Sequence, residues 1–286
     1  MSSQPERTNA IASVLRDASD RLTLSDSPRL DAAILLAHVL GQPHSYLYTH
    51  ANDMLTPEQT AAFETLLQQR QQQLPIAYLT GSREFWSLPL MVTAATLVPR
   101  PETELLVETA LTLITDSNDT RIADIGTGSG AIAIALASET RHIAIVATDN
   151  SDAALAVAQH NADTLCPHRI DCRLGDWLEP LGAAGYDLIV SNPPYVESGA
   201  PAFEASALAH EPRAALAAGA DGLAALQQLI YSAGNYLKQD GWLLLEHGSG
   251  QGRALTYLLT SCGYQDVTTC VDTAGLPRVT LAKWPH

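Results

Sequence analysis

Residues 121–130 read RIADIGTGSG, an apolar and β-prone run that ends in three closely spaced glycines. The run predicts a short buried strand over Arg121–Ile125, and the apolar residues after it predict a helix over Ser129–Ala137. Glycine allows a sharp turn and a close approach of the backbone to a ligand, and a helix N-terminus presents free N–H groups to an anionic group. The segment therefore predicts a cofactor loop between a strand and a helix.

Five residues of this loop are expected to bind the cofactor: Gly126, Thr127, Gly128, Ser129 and Gly130. The loop alone does not identify that cofactor. Gly126, Gly128 and Ala131 also satisfy the relaxed glycine pattern of dinucleotide-binding proteins, so the loop is equally compatible with a nicotinamide cofactor.

From about Pro99 onward, short β-rich runs alternate with helical stretches. Five runs predict strands of one sheet: Arg121–Ile125, Ile143–Asp149, Ile170–Gly175, Tyr186–Ser191 and Gly241–His247. This alternation is typical of βαβ crossovers with helices on both faces of a parallel sheet. Two final runs, Val267–Val271 and Val279–Leu281, predict a hairpin at one edge. We expect an α/β fold, a doubly wound and mostly parallel seven-stranded sheet with an antiparallel last strand.

The N-terminal region has a different pattern, in which apolar residues recur at helical spacing between capping signals. Thr56 and Gln59 predict a capping box at the start of one helix. Ser27 and Pro28 predict the start of an earlier helix. Its buried stripe is expected to be Leu30, Ile34, Ala37 and Leu40.

The change of pattern sets the expected domain boundaries. Residues 1–76 are expected to form a small all-helical domain that recognises the substrate. Residues 77–95, which contain Gly81 and Pro89 among β-prone residues, predict a hairpin linker. Residues 96–286 are expected to form the sheet domain that carries the cofactor site.

Charge and composition limit the classes of partner. The chain has 286 residues with 16 Lys and Arg against 31 Asp and Glu, and the resulting net charge of −15 argues against binding nucleic acid through its phosphates. No apolar stretch approaches the roughly 18 residues of a membrane span, and we expect a cytoplasmic protein with no membrane partner. The four cysteines have no CxxC spacing, and we predict no metal site.

Acidic residues follow the second and third predicted strands. Asp149 ends the second strand, where a carboxylate can accept hydrogen bonds from both hydroxyls of a ribose. The alternative is that Asp149 only helps Ser151 to start the next helix. Asp176 and Trp177 end the third strand at the same edge, where an acid and an aromatic ring suit an adenine, although Trp177 is equally compatible with packing.

The fourth predicted strand runs directly into Asn192-Pro193-Pro194-Tyr195. Two prolines fix the backbone and remove two N–H donors, so the carbonyl groups of this turn are left as acceptors beside the side-chain oxygen of Asn192. Such acceptors can hold both hydrogens of a planar –NH2 group, while Tyr195 offers a flat face to the substrate. The tetrapeptide therefore predicts a site for an amide or an aryl amine.

The order of the motifs resembles that of class I methyltransferases that use S-adenosylmethionine and methylate a planar nitrogen. These motifs are the glycine loop, Asp149 and residues 192–195. Further segments narrow the resemblance to the protein-(glutamine-N5) methyltransferases of peptide chain release factors, the PrmC/HemK family. These segments read PIAYLTG at residues 75–81, VPRPETE at 98–104, GDW at 175–177, EPR at 211–213 and LLEHG at 244–248.

The resemblance implies a Rossmann-like class I methyltransferase that methylates a glutamine side-chain amide in the GGQ loop of release factors and leaves S-adenosylhomocysteine. It implies that residues 126–130 bind the methionine part of the cofactor, Asp149 the ribose, and Asp176 with Trp177 the adenine side, with Asn192 also at the cofactor. The glutamine would be bound by Asn192, Pro193, Pro194 and Tyr195, of which Asn192 and Pro193 would be catalytic.

Other activities share part of this pattern. An enzyme that methylates the exocyclic amine of adenine in nucleic acid has the same tetrapeptide, but the scarcity of Lys and Arg favours a protein substrate. A nicotinamide-dependent oxidoreductase, or a nucleotide-binding module without catalysis, leaves the tetrapeptide without a role. The chain departs from several relatives at Leu97, where Phe is common, and at His210, where an aromatic residue is common. We expect a monomer.

Overall fold

The structure is a computed structural model that describes residues 9–201, 203 and 207–286. These residues form two compact units. One contains the described residues up to Gly81 together with the short helix Ala207–His210, and the other contains those from Ser82 to Phe203 and from Glu211 to His286. Residues 1–8 of the helical domain expected at 1–76 lie outside the described residues.

The first unit is helical, and local chemistry sets the ends of its helices. Thr56 forms the expected capping box, because its Oγ1 accepts from the Gln59 backbone N–H at 3.2 Å while Gln59 Oε1 accepts from the Thr56 N–H at 2.9 Å. Gly41 ends another helix in the left-handed conformation. The helices are α1 (Ile11–Arg21), α2 (Pro28–Leu40), α3 (His44–Thr49), α4 (Pro57–Gln71) and α5 (Ile76–Thr80).

The buried face of α2 differs from the expected stripe. Leu30 is 50% exposed and Ile34 and Leu40 are only half-buried; of the expected stripe, Ala37 alone is buried. The residues that α2 buries completely are Ala32, Leu35 and Leu36. Because α2 is apolar around most of its circumference, periodicity does not single out one face. The face is selected instead by packing against α1, α3, α4 and α5, which all contact α2.

The region expected to be a hairpin linker contains helix α5 and then the hairpin. Strands β1 (Ser82–Phe85) and β2 (Leu88–Met91) pair antiparallel. The two residues between them, Trp86 and Ser87, have φ values of 53° and 58°, as a type I′ turn requires. Phe85 and Leu90 are buried in a core of the second unit, so the hairpin is packed as part of that unit.

The second unit contains a sheet of seven strands within the described residues, in the order β5-β4-β3-β6-β7-β9-β8. Strands β3 to β7 are parallel, and β9 is antiparallel to both of its neighbours, which confirms the predicted antiparallel last strand. The strands are β3 (Arg121–Ile125), β4 (Ala144–Asp149), β5 (Ile170–Leu174), β6 (Tyr186–Ser191), β7 (Leu237–Glu246), β8 (Gln265–Val271) and β9 (Pro277–Lys283).

Helices cover both faces of the sheet. Strand residues alternate between two cores: in β3, Ile122 packs into one core and Ala123 and Ile125 into the other. The first core includes α6 (Glu104–Leu113), α7 (Ala131–Glu139) and α8 (Asp152–Leu165), and the second includes α9 (Ala224–Ala233) and α10 (Gly252–Ser261). Among the described residues, no helix has the length and apolar character needed to cross a membrane.

The register of the parallel strands brings their C-terminal ends together. Ile125 at the end of β3 pairs with Thr148 of β4 and with Ser191 of β6, and Ser191 pairs in turn with Leu245 of β7. The residues that follow these pairs therefore emerge side by side at one edge of the sheet. In open α/β sheets this is the edge at which ligands bind.

We expect Phe85→Ala to lower the free energy of unfolding by about 3–5 kcal/mol, because it removes a large side chain that is 2% exposed from the core beneath the hairpin. Urea unfolding followed by tryptophan fluorescence measures the change. The control is Leu174→Ala on edge strand β5, where the side chain is 54% exposed and the expected change is within about 0.5 kcal/mol. Equal stability of the two variants would show that the hairpin is not part of the core.

Candidate active site

A cavity of about 200 Å³ lies at the C-terminal edge of the parallel strands. Of the predicted site residues, Pro194 and most of the cofactor set line it: Gly126, Thr127, Gly128, Ser129, Asp149, Asp176, Trp177 and Asn192. Gly130, Pro193 and Tyr195 do not line it. Residues without a predicted role complete the wall, among them Pro99, Arg100 and Thr103 before α6, and Pro212, Ala214 and Ala215.

The glycine loop has a backbone conformation that favours glycine. Gly126 and Gly128 have φ values of 70° and 57°, and a Cβ at either position would meet no atom within 4 Å. The left-handed backbone is thus what requires glycine there, and open space lies in front of the loop. Gly130 differs, because its φ is 83° and a Cβ would lie 3.0 Å from Ile134 Cδ1. The packing of α7 is therefore a further reason for glycine at this position.

A buried carboxylate, Asp124, holds the loop from inside the protein. Its Oδ2 accepts a hydrogen bond from Thr127 Oγ1 at 2.6 Å and another from the Ala133 backbone N–H at 3.2 Å. Burial raises the pKa of Asp124 to about 6. Sequence reasoning assigned no role to this residue, although an acid inside the apolar run RIADI was the available signal, since charged residues are rarely buried without a partner.

Asp149 links the second strand to the glycine loop. Its Oδ2 accepts from the Gly128 backbone N–H and its Oδ1 from the Ser151 N–H, both at 2.9 Å. Ser151 in turn caps α8, accepting from the Ala154 N–H at 3.2 Å. Each carboxylate oxygen keeps a further lone pair, so these bonds leave acceptors on a residue that lines the cavity.

Asp176 and Trp177 are side by side on the cavity wall. The Asp176 side chain is exposed and Trp177 is half-buried, with a positive φ of 47°. The carbonyl oxygen of Trp177 accepts from Thr148 Oγ1 at 3.0 Å, which ties this turn to the end of β4. The structure therefore brings the ends of β4 and β5 to the same cavity.

The orientation of the Asn192 side chain is set by one hydrogen bond. Its Nδ2 donates to Thr103 Oγ1 at 3.1 Å, so the amide nitrogen points toward Thr103 and Oδ1 is on the other side. Among the described residues, Oδ1 has no hydrogen-bond donor. Pro193 is buried behind it, and Asn192 itself lines the cavity. The side chain thus keeps its oxygen available as an acceptor.

Behind the tetrapeptide lies a second buried carboxylate, Glu246, at the end of β7. Tyr195 donates its hydroxyl to Glu246 Oε1 at 3.3 Å, and burial raises the pKa of Glu246 to about 7. Burial also raises the pKa of the Tyr195 hydroxyl, so it keeps its proton as a donor. Sequence reasoning recognised Glu246 only as part of the LLEHG segment and gave it no role.

A third carboxylate, Glu211, holds the cavity wall together. Its Oε2 accepts from the Val98 backbone N–H at 3.0 Å, and its Oε1 accepts from the guanidinium of Arg100. Glu211 is buried, and the next residue, Pro212, lines the cavity. The carboxylate therefore joins the segment before α6 to the segment that contains EPR.

The two departures noted in the sequence lie in different places. Leu97 lines the cavity, whereas His210 belongs to the helical unit, where its Nε2 is 2.8 Å from the Gln72 carbonyl oxygen. Within the described ranges, no group of three or more His, Cys, Asp or Glu side chains is arranged to hold a metal ion.

Two protein families match the chain. The PrmC N-terminal domain matches residues 13–81, and the methyltransferase small domain matches residues 101–262. Among solved structures, a methyltransferase from Pyrococcus furiosus superposes with a TM-score of 0.52 at 17% identity, covering 70% of this chain and 90% of that one. An identity of 17% supports a shared fold alone.

Relatives at higher identity match nearly the whole chain. The release factor glutamine methyltransferase of Escherichia coli strain K12 is 44% identical over 270 residues, which cover 94% of this chain and 97% of that protein. The protein of the same name from Yersinia pestis is 46% identical over 93% of this chain and 96% of its own length. The chain accordingly belongs to the family of release factor glutamine methyltransferases.

Proposed function

We propose that this protein transfers the methyl group of S-adenosylmethionine to the side-chain amide nitrogen of a glutamine in peptide chain release factors. The observation that carries the proposal is the orientation of Asn192. Its Nδ2 donates to Thr103 Oγ1, and its Oδ1 is left as a free acceptor in the same cavity as the glycine loop. The –NH2 group of a primary amide donates two hydrogen bonds and needs such an acceptor.

The cavity fits S-adenosylmethionine by the chemistry of its walls. Open space lies in front of Gly126 and Gly128, where the methionine part would approach the backbone. Asp149 has lone pairs left for the ribose hydroxyls, and Trp177 offers an aromatic face toward the adenine. When bound, the cofactor supplies a methyl group attached to a positively charged sulfur. We assign residues 126–130, Asp149, Asp176, Trp177 and Asn192 to its binding.

The tetrapeptide addresses the weakness of an amide as a nucleophile. An amide nitrogen attacks poorly because its lone pair is delocalised into the carbonyl group. Asn192 Oδ1 and the Pro193 carbonyl oxygen would accept its two hydrogens, and these bonds strengthen as the nitrogen gains positive charge in the transition state. As the nitrogen–methyl bond forms, the bond from sulfur to methyl would break to leave S-adenosylhomocysteine, and the methylated nitrogen would lose one proton to water. Pro194 and Tyr195 would pack against the glutamine. Holding both reactants in line contributes on the order of 7–11 kcal/mol through the entropy cost that is avoided.

Charge favours protein over nucleic acid as the substrate. The same tetrapeptide would also fit the exocyclic amine of adenine, but with a net charge of −15 the chain has few cations for a phosphate backbone. A protein substrate gives the helical unit a role in recognition. We assign residues 1–76 to recognition of the release factor, 77–95 to the linker and 96–286 to catalysis. We place the reaction in the cytoplasm, with the enzyme acting as a monomer.

Incubation with labelled S-adenosylmethionine and a purified release factor is expected to place the label on one glutamine of the GGQ loop. Peptide mapping by mass spectrometry identifies the site. The control substrate is the same factor with that glutamine replaced by asparagine, whose side chain is one methylene too short to reach the acceptors. Labelling of DNA or RNA with none on the protein would overturn the proposal.

We expect Asn192→Ala to lower turnover by about 10²–10³, since it removes a hydrogen bond that strengthens in the transition state. Cofactor affinity is expected to fall much less than turnover, because the other residues assigned to the cofactor remain in place. Steady-state kinetics and calorimetry with S-adenosylhomocysteine measure the two effects. Asn118→Ala is the control, an exposed asparagine before β3 at the opposite edge of the sheet. Wild-type turnover in Asn192→Ala would show that the amide is held elsewhere.

We expect Asp149→Ala to weaken binding of S-adenosylhomocysteine by about 10-fold or more, because a carboxylate that accepts hydrogen bonds typically contributes about 1.5–3 kcal/mol per bond. The variant also frees the Gly128 N–H, which adds to the loss. Isothermal titration calorimetry measures the affinity, and Asp163→Ala on the exposed face of α8 is the control. Unchanged affinity in Asp149→Ala would refute its role at the ribose.

A further inference from the structure

Glu246 is a buried carboxylate that the reaction described above does not use. Glu246 is 1% exposed, and its Oε2 has no well-aligned hydrogen-bond donor among the described residues. Burying an acceptor without a partner is destabilising, so packing alone does not account for this residue. Its position is informative: Leu245 pairs with Ser191, which places Glu246 and Asn192 at the ends of neighbouring strands.

A short path of polar contacts joins Glu246 to the substrate acceptor. Asn192 Nδ2 donates to Thr103 Oγ1 at 3.1 Å, and the Thr103 hydroxyl interacts with Glu246 and lowers its pKa. Because Asn192 donates to a lone pair of Thr103 Oγ1, the hydroxyl proton of Thr103 is left for another acceptor, and Glu246 Oε2, which lacks an aligned donor, is the neighbouring carboxylate oxygen that can take it. When the Thr103 proton is used in this way, Thr103 Oγ1 can only accept from Asn192, so the amide nitrogen of Asn192 must face it. Oδ1 is then the atom left for the substrate.

We infer that Glu246 is a positioning residue for methyl transfer, which acts through Thr103 to fix the Asn192 amide and to strengthen its Oδ1 as an acceptor. The inference rests on the proposed function and adds a residue to it. Glu246 touches neither substrate nor cofactor, because Thr103 and Asn192 line the cavity and Glu246 does not.

Glu246 acts on Asn192 by polarising the hydrogen bonds between them. A hydrogen bond donated by an amide N–H raises the electron density on the oxygen of the same amide, and successive bonds in a buried chain reinforce one another. The negative charge of Glu246 at the far end of the chain therefore makes Oδ1 a better acceptor as the substrate nitrogen becomes positive. Because Thr103 and Glu246 are buried, the effect is larger than it would be at the surface.

The charge state of Glu246 depends on the groups around it. Burial is the largest cause of its raised pKa; Glu102 raises the pKa further, and Tyr195, Thr103 and Arg278 lower it. The adjacent His247 is engaged elsewhere, with Nε2 2.8 Å from Thr280 Oγ1 and Nδ1 2.9 Å from the Gly248 carbonyl oxygen. With a pKa of about 7, Glu246 is ionised above this pH and protonated below it. Turnover is therefore expected to rise between about pH 6 and 8.

The test compares Glu246→Gln with the wild type on a release factor substrate. Neutralising the carboxyl group is expected to lower kcat about tenfold at pH 8, the scale of one lost hydrogen bond to a charged group. The KM for the release factor and the affinity for S-adenosylhomocysteine are expected to stay near wild type, and the rise of kcat through pH 7 is expected to disappear. Glu108→Gln, the same change on an exposed residue of α6, is the control and should keep both the rate and the pH profile.

Thr103 supplies an independent variant if Glu246→Gln is unstable. Thr103→Val removes the hydroxyl at nearly constant volume and is expected to lower kcat similarly, while Thr103→Ser restores the hydroxyl and most of the rate. The double variant of Glu246→Gln and Thr103→Val is expected to be no slower than the slower single variant, since both interrupt the same path.

Two results would overturn the inference while leaving the proposed function intact. One is wild-type kcat with an unchanged pH profile in either Glu246→Gln or Thr103→Val. The other is a loss of cofactor affinity equal to the loss of kcat, which would assign both residues to the stability of the site. If the wild-type protein methylates no glutamine, the proposed function itself is wrong, and the wild-type control in the same assay reports this separately.

Discussion

Parallel pairing of β3 with β4 and β6 is the constraint on which the site depends. The register places the last residues of these strands level with one another, so Gly126, Asp149 and Asn192 leave the sheet at the same edge although they are far apart in sequence. Helices on both faces keep the strands buried and aligned. A shift of one residue in β6 would move Asn192 away from Thr103 and turn its side chain to the other face of the sheet.

Three buried carboxylates order the segments around the cavity. Asp124 accepts from Thr127 and from the start of α7, Glu211 joins the Val98 backbone to the EPR segment, and Glu246 lies behind Tyr195. Each removes a negative charge from water, which is unfavourable unless hydrogen bonds compensate for it. In return, Asp124 and Glu211 each hold a backbone N–H and a side chain of the segments that they join. The residues that line the cavity are thus held in position by buried carboxylates that lie one layer behind the cavity wall.

Sequence patterns predicted the sheet well because its strands are short, apolar and bounded by glycine, proline or polar residues. β3 and β6 have the predicted bounds, and the other strands differ by a few residues at their ends. Prediction failed for the buried face of α2, since a helix that is apolar on most sides can pack in several ways and its neighbours decide. It also missed α5, whose five residues are too few for periodicity to reveal.

The order of the motifs along the chain was enough to predict the strand–loop–helix cofactor site, the amide-binding tetrapeptide and the family. These features depend on local chemistry: glycine at left-handed positions, an acid at a strand end, and proline carbonyls that cannot rotate away. The direction in which the Asn192 amide points and the involvement of Asp124, Thr103, Glu211 and Glu246 came from the folded chain. Their contacts join residues far apart in sequence, 113 positions in the case of Val98 and Glu211, and such pairings depend on how the strands and helices pack rather than on any local pattern.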